Sequence, residues 1–322
     1  MLTVATDMTV QRVAIDDWLD QLDAKEAEPE AEIINPADDP FLEYELVIAS
    51  VLAERSGDFV KEAEAILKKA FYIPVAQKAA GDKTREYTAR IEDAISAVEQ
   101  ARKLWETQGL SIEGANTISY ALGDAISSGT RSAYEMTGSM LPLSNQARDT
   151  MITGMLNASK YYSNAFFNTQ VMPALIRAIE LGAGTQGENL IWSTIRDVLH
   201  TRLKTVPYWR VVANAAASRA YHYGVLKSGQ SAGRRYYEFS AILDAKTSET
   251  CWALNGMQWP VADAIALMER IAAAEPEEVK TLAPWINYKT LEPMLSNPFA
   301  MQSLGVIIPP VHGNCRSTII LR

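Results

Sequence analysis

YWRVVANAAASRAYHYGVLKSGQSAGRRYYEFSAIL, residues 208–243, contains the change of period on which the fold reading turns. Its first part, to about Lys227, reads as a helix. After Gly233 the pattern alternates: Arg235-Tyr236-Tyr237-Glu238-Phe239-Ser240-Ala241-Ile242-Leu243 is rich in β-formers and reads as a strand. Upstream of this point the chain is helical in pattern, and downstream it mixes short strands with a helix. The expectation is a mainly α protein, an extended helical body followed by a small C-terminal α+β cap of short antiparallel strands. Three segments result: an acidic N-terminal arm or linker at 1–40, the helical body at 41–230 and the cap at 231–322.

Working downstream, Asn255-Gly256 is a strong turn pair ahead of Met257-Gln258-Trp259. Residues 262–274 read as a helix, a proline-containing loop comes next, and 315–321 reads as a closing strand. Working upstream, Asp39-Pro40 supplies an N-cap and a first-turn proline. Leu42, Leu46, Val47, Ser50 and Val51 then mark a helical stripe, with Gly57 separating that helix from another at 59–71. Asp82 caps a long helix to about Thr107, with Ile91, Ala94, Ile95, Val98, Ala101 and Leu104 facing inward. Gly109, Gly114, Gly138 and Pro142 punctuate the stretch from 108 to 144. Residues 145–181 read as one helical stretch, stopped at Gly182-Ala183-Gly184 and kinked or broken at Pro173. Further helices are expected near 188–204 and 208–227.

The 322 residues are 48% apolar and 21% charged, the composition of a folded globular protein. No apolar run approaches the roughly 20 residues needed to span a bilayer, and residues 1–10 lack the pattern of a signal peptide. A soluble protein made in a cytosol, without membrane contact, is expected. Two cysteines are too few for a disulfide framework in a chain of this length. The net charge of −9 hides an asymmetry: residues 1–50 hold 13 Asp and Glu against Arg12 and Lys25, leaving a slightly basic remainder. Within that remainder, 151–230 holds eight Lys and Arg against Glu180, Glu188 and Asp197. Such a segment suits a partner or nucleic acid, or simply solvated helix faces. Residues 24–40, AKEAEPEAEIINPADDP, are acidic and proline-punctuated, the composition of a linker or disordered arm. Before them, Val13, Trp18, Leu19 and Leu22 share one helical face that docks on a partner or on the chain's own domain.

No phosphate loop, dinucleotide fingerprint, HExxH helix or GxSxG elbow is present, so nothing in the sequence argues for catalysis. His200 and His222 read as packing or surface residues. The third histidine belongs to a sharper constellation: Asp244-Ala245-Lys246-Thr247-Ser248-Glu249-Thr250-Cys251, and, about sixty residues later, Pro309-Pro310-Val311-His312-Gly313-Asn314-Cys315-Arg316-Ser317. Asp244 can cap the following turn, and Thr247 and Ser248 can cap a short helix carrying Cys251. Arg316 can pair with Asp244 or Glu249. His312 and Cys315, three apart in a turn, can reach one ion, with Cys251 arriving from a neighbouring turn. Thiolate and imidazole favour zinc, with Asp244 or water as the fourth ligand. Two other readings stand beside it: both cysteines buried as small apolar residues, or joined in a disulfide.

The two halves, D-x-x-T-S-x-x-C-x-x-L-x-G after a strand and P-P-x-H-x-x-C-R-S at the chain end, resemble the Mu F-like head morphogenesis family of phage minor head proteins. The resemblance covers roughly residues 205–322. The Arg-Thr-Glu signature often seen in the preceding helix is absent, since this chain reads Arg210-Val211-Val212. The resemblance implies a non-enzymatic, low-copy virion component in the head interior near the portal, assisting head morphogenesis or DNA ejection. Portal protein, and major capsid or scaffold proteins, are the implied partners, with non-specific contact to packaged DNA compatible with the basic 151–230 segment. Two rivals remain: an enzyme or toxin-like effector of the same family, and a generic helical adaptor with a metal-bound cap.

Residues 24–40 have too few apolar side chains to offset an ordering cost of roughly 1–2 kcal/mol per residue. Limited proteolysis is expected to cut there first and leave a stable fragment beginning near Phe41. Persistence of the intact chain under those conditions would refute the linker reading.

Overall fold

The computed structural model describes residues 39–71, 83–108, 110–139, 143–183, 195–199, 206–275, 278–295 and 307–322. The amphipathic segment at 10–22 and the acidic run before residue 39 lie outside the described residues. Residues Pro40–Arg322 form one compact unit. Among the described residues the helices with defined ends are α1 (Leu42–Phe71), α2 (Lys83–Thr107), α3 (Ile112–Thr137), α4 (Asn145–Phe166), α5 (Met172–Ala183), α6 (Val206–Ser231), α7 (Glu249–Leu254), α8 (Val261–Ala273), α9 (Val279–Leu282) and α10 (Tyr288–Leu295). The strands are β1 (Tyr236–Ser240), β2 (Gln258–Pro260) and β3 (Thr318–Leu321), in an antiparallel sheet of order β2-β1-β3. The protein is mainly α with a small α+β part at the C-terminal end, as its sequence pattern requires.

Helix α6 is central because it has no polar face to give to water. From Tyr208 to Leu226 every residue except Arg210 is buried, and a helix buried all round must be enclosed by others. Helices α1, α3, α4 and α8 and strand β3 pack against it. Its tightest crossing is with α3. A Cβ on Gly129 would collide with the Tyr221 carbonyl, and one on Gly224 with the Ile126 carbonyl, so the two glycines let these backbones touch. A comparable approach joins α4 to α8, where Gly154 abuts the backbone of Ala272.

Several local expectations are corrected. Gly57 does not interrupt α1, which runs unbroken for 30 residues; a Cβ there would meet nothing within 4 Å, so that glycine is merely tolerated. The inward stripe of α1 is also rotated. Leu46 is 49% exposed and Val47 37%, whereas Glu45, Ile48, Leu52 and Phe59 are buried. Glu45 faces inward because Arg210 Nε donates to its Oε1 at 2.7 Å and Asn214 Nδ2 to its Oε2 at 3.1 Å, fastening α1 to α6. In α2, Ala94, Val98 and Ala101 are buried as expected, but Ile95 is 39% exposed and Trp105 takes the inward place. Residues 112–137 are one helix, capped by the Ser111 hydroxyl, and Gly114 lies inside it. Gly138 does end that helix, in the left-handed conformation.

At Pro173, where a kink or break is expected, the helical run continues but changes form. The proline follows a π-helical turn, Phe167–Val171, so the register is already widened where the missing N–H would leave a carbonyl unpaired. The proline-containing loop after 274 holds the short helices α9 and α10. Of residues 188–204 the described part, 195–199, is helical. An aromatic cluster of Phe59, Trp105, Phe167 and Trp209 ties α1, α2, the π turn and α6 together. Arg55 lies 4.6 Å over the Trp105 ring and donates to the carbonyls of Trp105 and Gln108, satisfying the end of α2.

The sheet is fixed by its inner face. Tyr237 and Phe239 are fully buried and pair with Leu321 and Ile319 of β3. Tyr237 stacks on Trp259 of β2 and donates its hydroxyl to the Ile307 carbonyl at 2.7 Å. Gly229 of α6 meets the Leu321 side chain, which seats the sheet on the helical body.

Gly224→Ala and Gly129→Ala should each destabilise the protein by about 1–3 kcal/mol, the usual cost of overpacking. Gly57→Ala should be neutral or stabilising by up to about 1 kcal/mol. Urea midpoints of the three variants test this ordering; equal midpoints would show that the α3–α6 crossing is not backbone-limited.

Candidate metal centre

The loop after β1 organises itself first. Asp244 Oδ1 accepts from the Lys246 N–H at 2.9 Å, and the Asp244 N–H donates to Thr247 Oγ1 at 2.9 Å. The Thr247 hydroxyl also donates to the Ile242 carbonyl. This closed turn delivers Ser248 to the N-cap of α7, where its hydroxyl accepts from the Cys251 N–H at 3.2 Å. Cys251 thereby points inward from the first turn of α7, at 3% exposure. The other half approaches through Pro309-Pro310 and a turn at Gly313-Asn314, with Asn314 in the left-handed region at φ 53°. That turn brings His312 and the fully buried Cys315 to the same place.

The expected trio does converge. Cys251 Sγ lies 3.1 Å from His312 Nε2 and 3.8 Å from Cys315 Sγ. All three ligand atoms lie within 4.8 Å of one another, a group that could hold a metal ion. A tetrahedral site with metal–sulfur bonds of about 2.3 Å needs a sulfur–sulfur edge of about 3.8 Å, and a sulfur–nitrogen edge of about 3.6 Å. The sulfur edge already has that length; the imidazole edge is shorter, so the ring would back away slightly as an ion entered. His312 Nδ1 is 2.7 Å from the Gly313 carbonyl. A carbonyl only accepts, so Nδ1 carries a proton and Nε2 is the ring nitrogen turned toward the sulfurs, the orientation of metal-bound histidines. The Ser248 hydroxyl lies 2.8 Å from the same Nε2.

Asp244 is not a member of the group. Its carboxylate is taken by Arg316 Nη2 at 2.6 Å, and this guanidinium, with Thr247 and the Lys246 N–H, holds it well below the usual carboxylate range. The Asp244–Arg316 pair instead clamps the two motif halves side by side. Both cysteines are free thiols. The hydrogen bond to Cys315, then burial, push the Cys251 thiol up to about 12 against the pull of His312. For Cys315 burial alone would raise the thiol, but the Cys251 donor, the backbone at Val311 and Ser317 and the Ser317 hydroxyl outweigh it and bring it down to about 7. The two thiols are coupled through their contact, and a divalent cation between them would displace their protons.

Phe239, Leu254, Leu291, Ile307 and Val311 pack around the sulfurs. Ser248 as a partner of His312 is an addition of the structure; its only sequence signal is the spacing that makes it an N-cap. His222 lies elsewhere, fully buried on α6, with burial pushing its pKa down to about 3, and it plays the packing part expected of it. His200 lies outside the described residues. No helix among the described residues is long and apolar enough to cross a membrane. No family model, curated protein or solved structure matches the chain.

Titrating the reduced protein with Co²⁺ should produce thiolate charge-transfer absorption saturating near one equivalent, and Cys251→Ser, Cys315→Ser and His312→Ala should each weaken binding by an order of magnitude or more. A spectrum indifferent to these changes would rule out a single three-residue centre.

Proposed function

We propose that this chain is a minor head protein of a tailed phage, similar to the Mu F-like family, and that it works by association with the portal rather than by turnover. Support for the reading comes from the meeting of the two motif halves that carry the resemblance. Asp244 and Arg316 are joined at 2.6 Å, and Cys251 stands against His312 and Cys315, although 61–72 residues separate the partners in sequence. A motif of spaced residues that closes on itself, caps its own helix and buries both sulfurs is a structural fastening. In this reading zinc is its natural occupant, held by Cys251, His312 and Cys315 with water as the fourth ligand.

The fastening matters because the C-terminal sheet has three short strands, too little to build a core of its own. Cross-linking residues 251 and 312–315 closes the long segment between them and keeps the cap seated on the helical body. A rigid cap on a helical scaffold suits few-copy docking to a symmetric ring, where geometry has to be held without any reaction. The adaptor and effector alternatives share the fold but not the portal.

Co-expression with the portal of the same phage should give a complex that co-elutes in size exclusion. Deleting the gene should give malformed or poorly infectious heads while genome replication continues. Fully infectious particles lacking the protein would remove the proposal, and a turnover abolished by one side-chain change would replace it with the effector reading.

A further inference from the structure

Arg219 is at odds with its surroundings. It lies on the buried helix α6 at 5% exposure, and it lines a cavity of about 110 Å³ between α6, α8, the segment ahead of α10 and the loop entering the metal centre. Met268, Ile271, Pro284, Ile286, Ile308 and Pro309 are among its walls, and among the described residues no other charged or hydroxyl-bearing side chain lines it. No hydrogen bond or ion pair joins the Arg219 guanidinium to the described residues, and its nitrogens are not among the polar atoms sealed from solvent, so they keep contact with the solvent of the cavity. This differs from the buried charge that packs on α6 from α1, Glu45, which is paired with Arg210 and Asn214. His222, one turn further on, is buried and neutral, so it brings no compensating charge.

A guanidinium cannot shed its proton to escape an apolar setting. Burial without a counter-charge is therefore costly, and pairing with an anion recovers much of that cost. The planar fork of donors matches a carboxylate in particular. Size limits the remainder of the ligand. A cavity of about 150 Å³ accommodates benzene, so this smaller one suits roughly four to six heavy atoms. The side chains described along the walls are aliphatic and accommodate an alkyl stem.

We propose that this cavity is a binding site for a small aliphatic monocarboxylate of three or four carbons, its carboxylate paired with Arg219 and its alkyl end against the Met268, Ile271 and Ile308 walls. The site is separate from the thiol–imidazole centre and does not depend on the portal reading. It is also distinct from a surface anion site, because lysines and helix ends take no part in it.

The test is titration of the full-length protein with butyrate, followed by isotope-edited NMR or calorimetry, with butyramide as the uncharged match of the same size. Butyrate should bind saturably with one site per chain, and butyramide should bind about 10–100-fold more weakly, the range expected for losing a charged hydrogen-bonded pair. Arg219→Leu should weaken butyrate by the same factor while its melting temperature stays level or rises, since an unpaired charge is removed. Ala283→Leu, which keeps the arginine and narrows the cavity, should also weaken butyrate, so the proposal stays testable if Arg219→Leu fails to fold. No saturable binding, equal binding of butyramide, or binding that survives both substitutions would overturn it.

Discussion

The fold is organised around the obligation of α6 to be enclosed. A helix that buries nearly every residue from Tyr208 to Leu226 gains apolar burial on all sides, but it also places Asn214, Ser218 and His222 out of reach of water. Each of these has to be met by a neighbour or tolerated. Glu45 is drawn inward to meet Arg210 and Asn214, and with it the whole register of α1 is set. Breaking a buried pair of this kind typically costs several kcal/mol because it strands the remaining charge. The α3 crossing is set by the same helix in another way, through backbone contact at Gly129 and Gly224 rather than through side chains.

These two devices explain where the sequence is legible and where it is not. The change of period after Gly233, the Ser248 cap and the pairing of Asp244 with Arg316 are local or motif-scale features, and they appear in the structure as the residues suggest. The stripe of α1 reads out of place in the sequence because a glutamate is ordinarily assigned to the solvent side; partners 165 and 169 residues away, Arg210 and Asn214, give Glu45 a reason to be inside. Residues 112–137 look interrupted because Gly114 reads as a breaker. In the folded chain Gly114 lies against Val51 and the Ser111 cap, and Gly129 lies against Tyr221. A glycine that ends a helix and a glycine that lets two helices touch look alike in one sequence, and the distinction resides in the partner helix.

At the candidate centre the legible part is the ligand set and the illegible part is its orientation. Spacing alone brings His312 and Cys315 to one turn, but the ring nitrogen that faces the sulfurs depends on the Gly313 carbonyl at 2.7 Å. Asp244 looks available as a fourth ligand because it heads the motif. Arg316 is one residue past Cys315 and reaches Asp244 first, so the carboxylate is spent on holding the loops together. The separation of tasks is physically sensible. A charged clamp at the partly exposed rim keeps its solvation, while the soft donors sit in the apolar interior with their sulfurs 3.8 Å apart.

The loop at 307–311 links that centre to the rest of the molecule. Its first residue is held through the Ile307 carbonyl by the Tyr237 hydroxyl, and its last through the Val311 carbonyl by the Ile286 N–H at 2.8 Å. Ile307 and Val311 contribute both to the packing around the sulfurs and to the wall of the Arg219 cavity. Pro309-Pro310 between them offers no backbone donor and few conformations, so the loop transmits position instead of absorbing it. Fixing His312 and Cys315 therefore also fixes one side of the cavity, and the side chain at its floor belongs to the enclosed helix. The cap is thus a single mechanical element, bearing on α6 through Leu321 at one edge and facing Arg219 at the other.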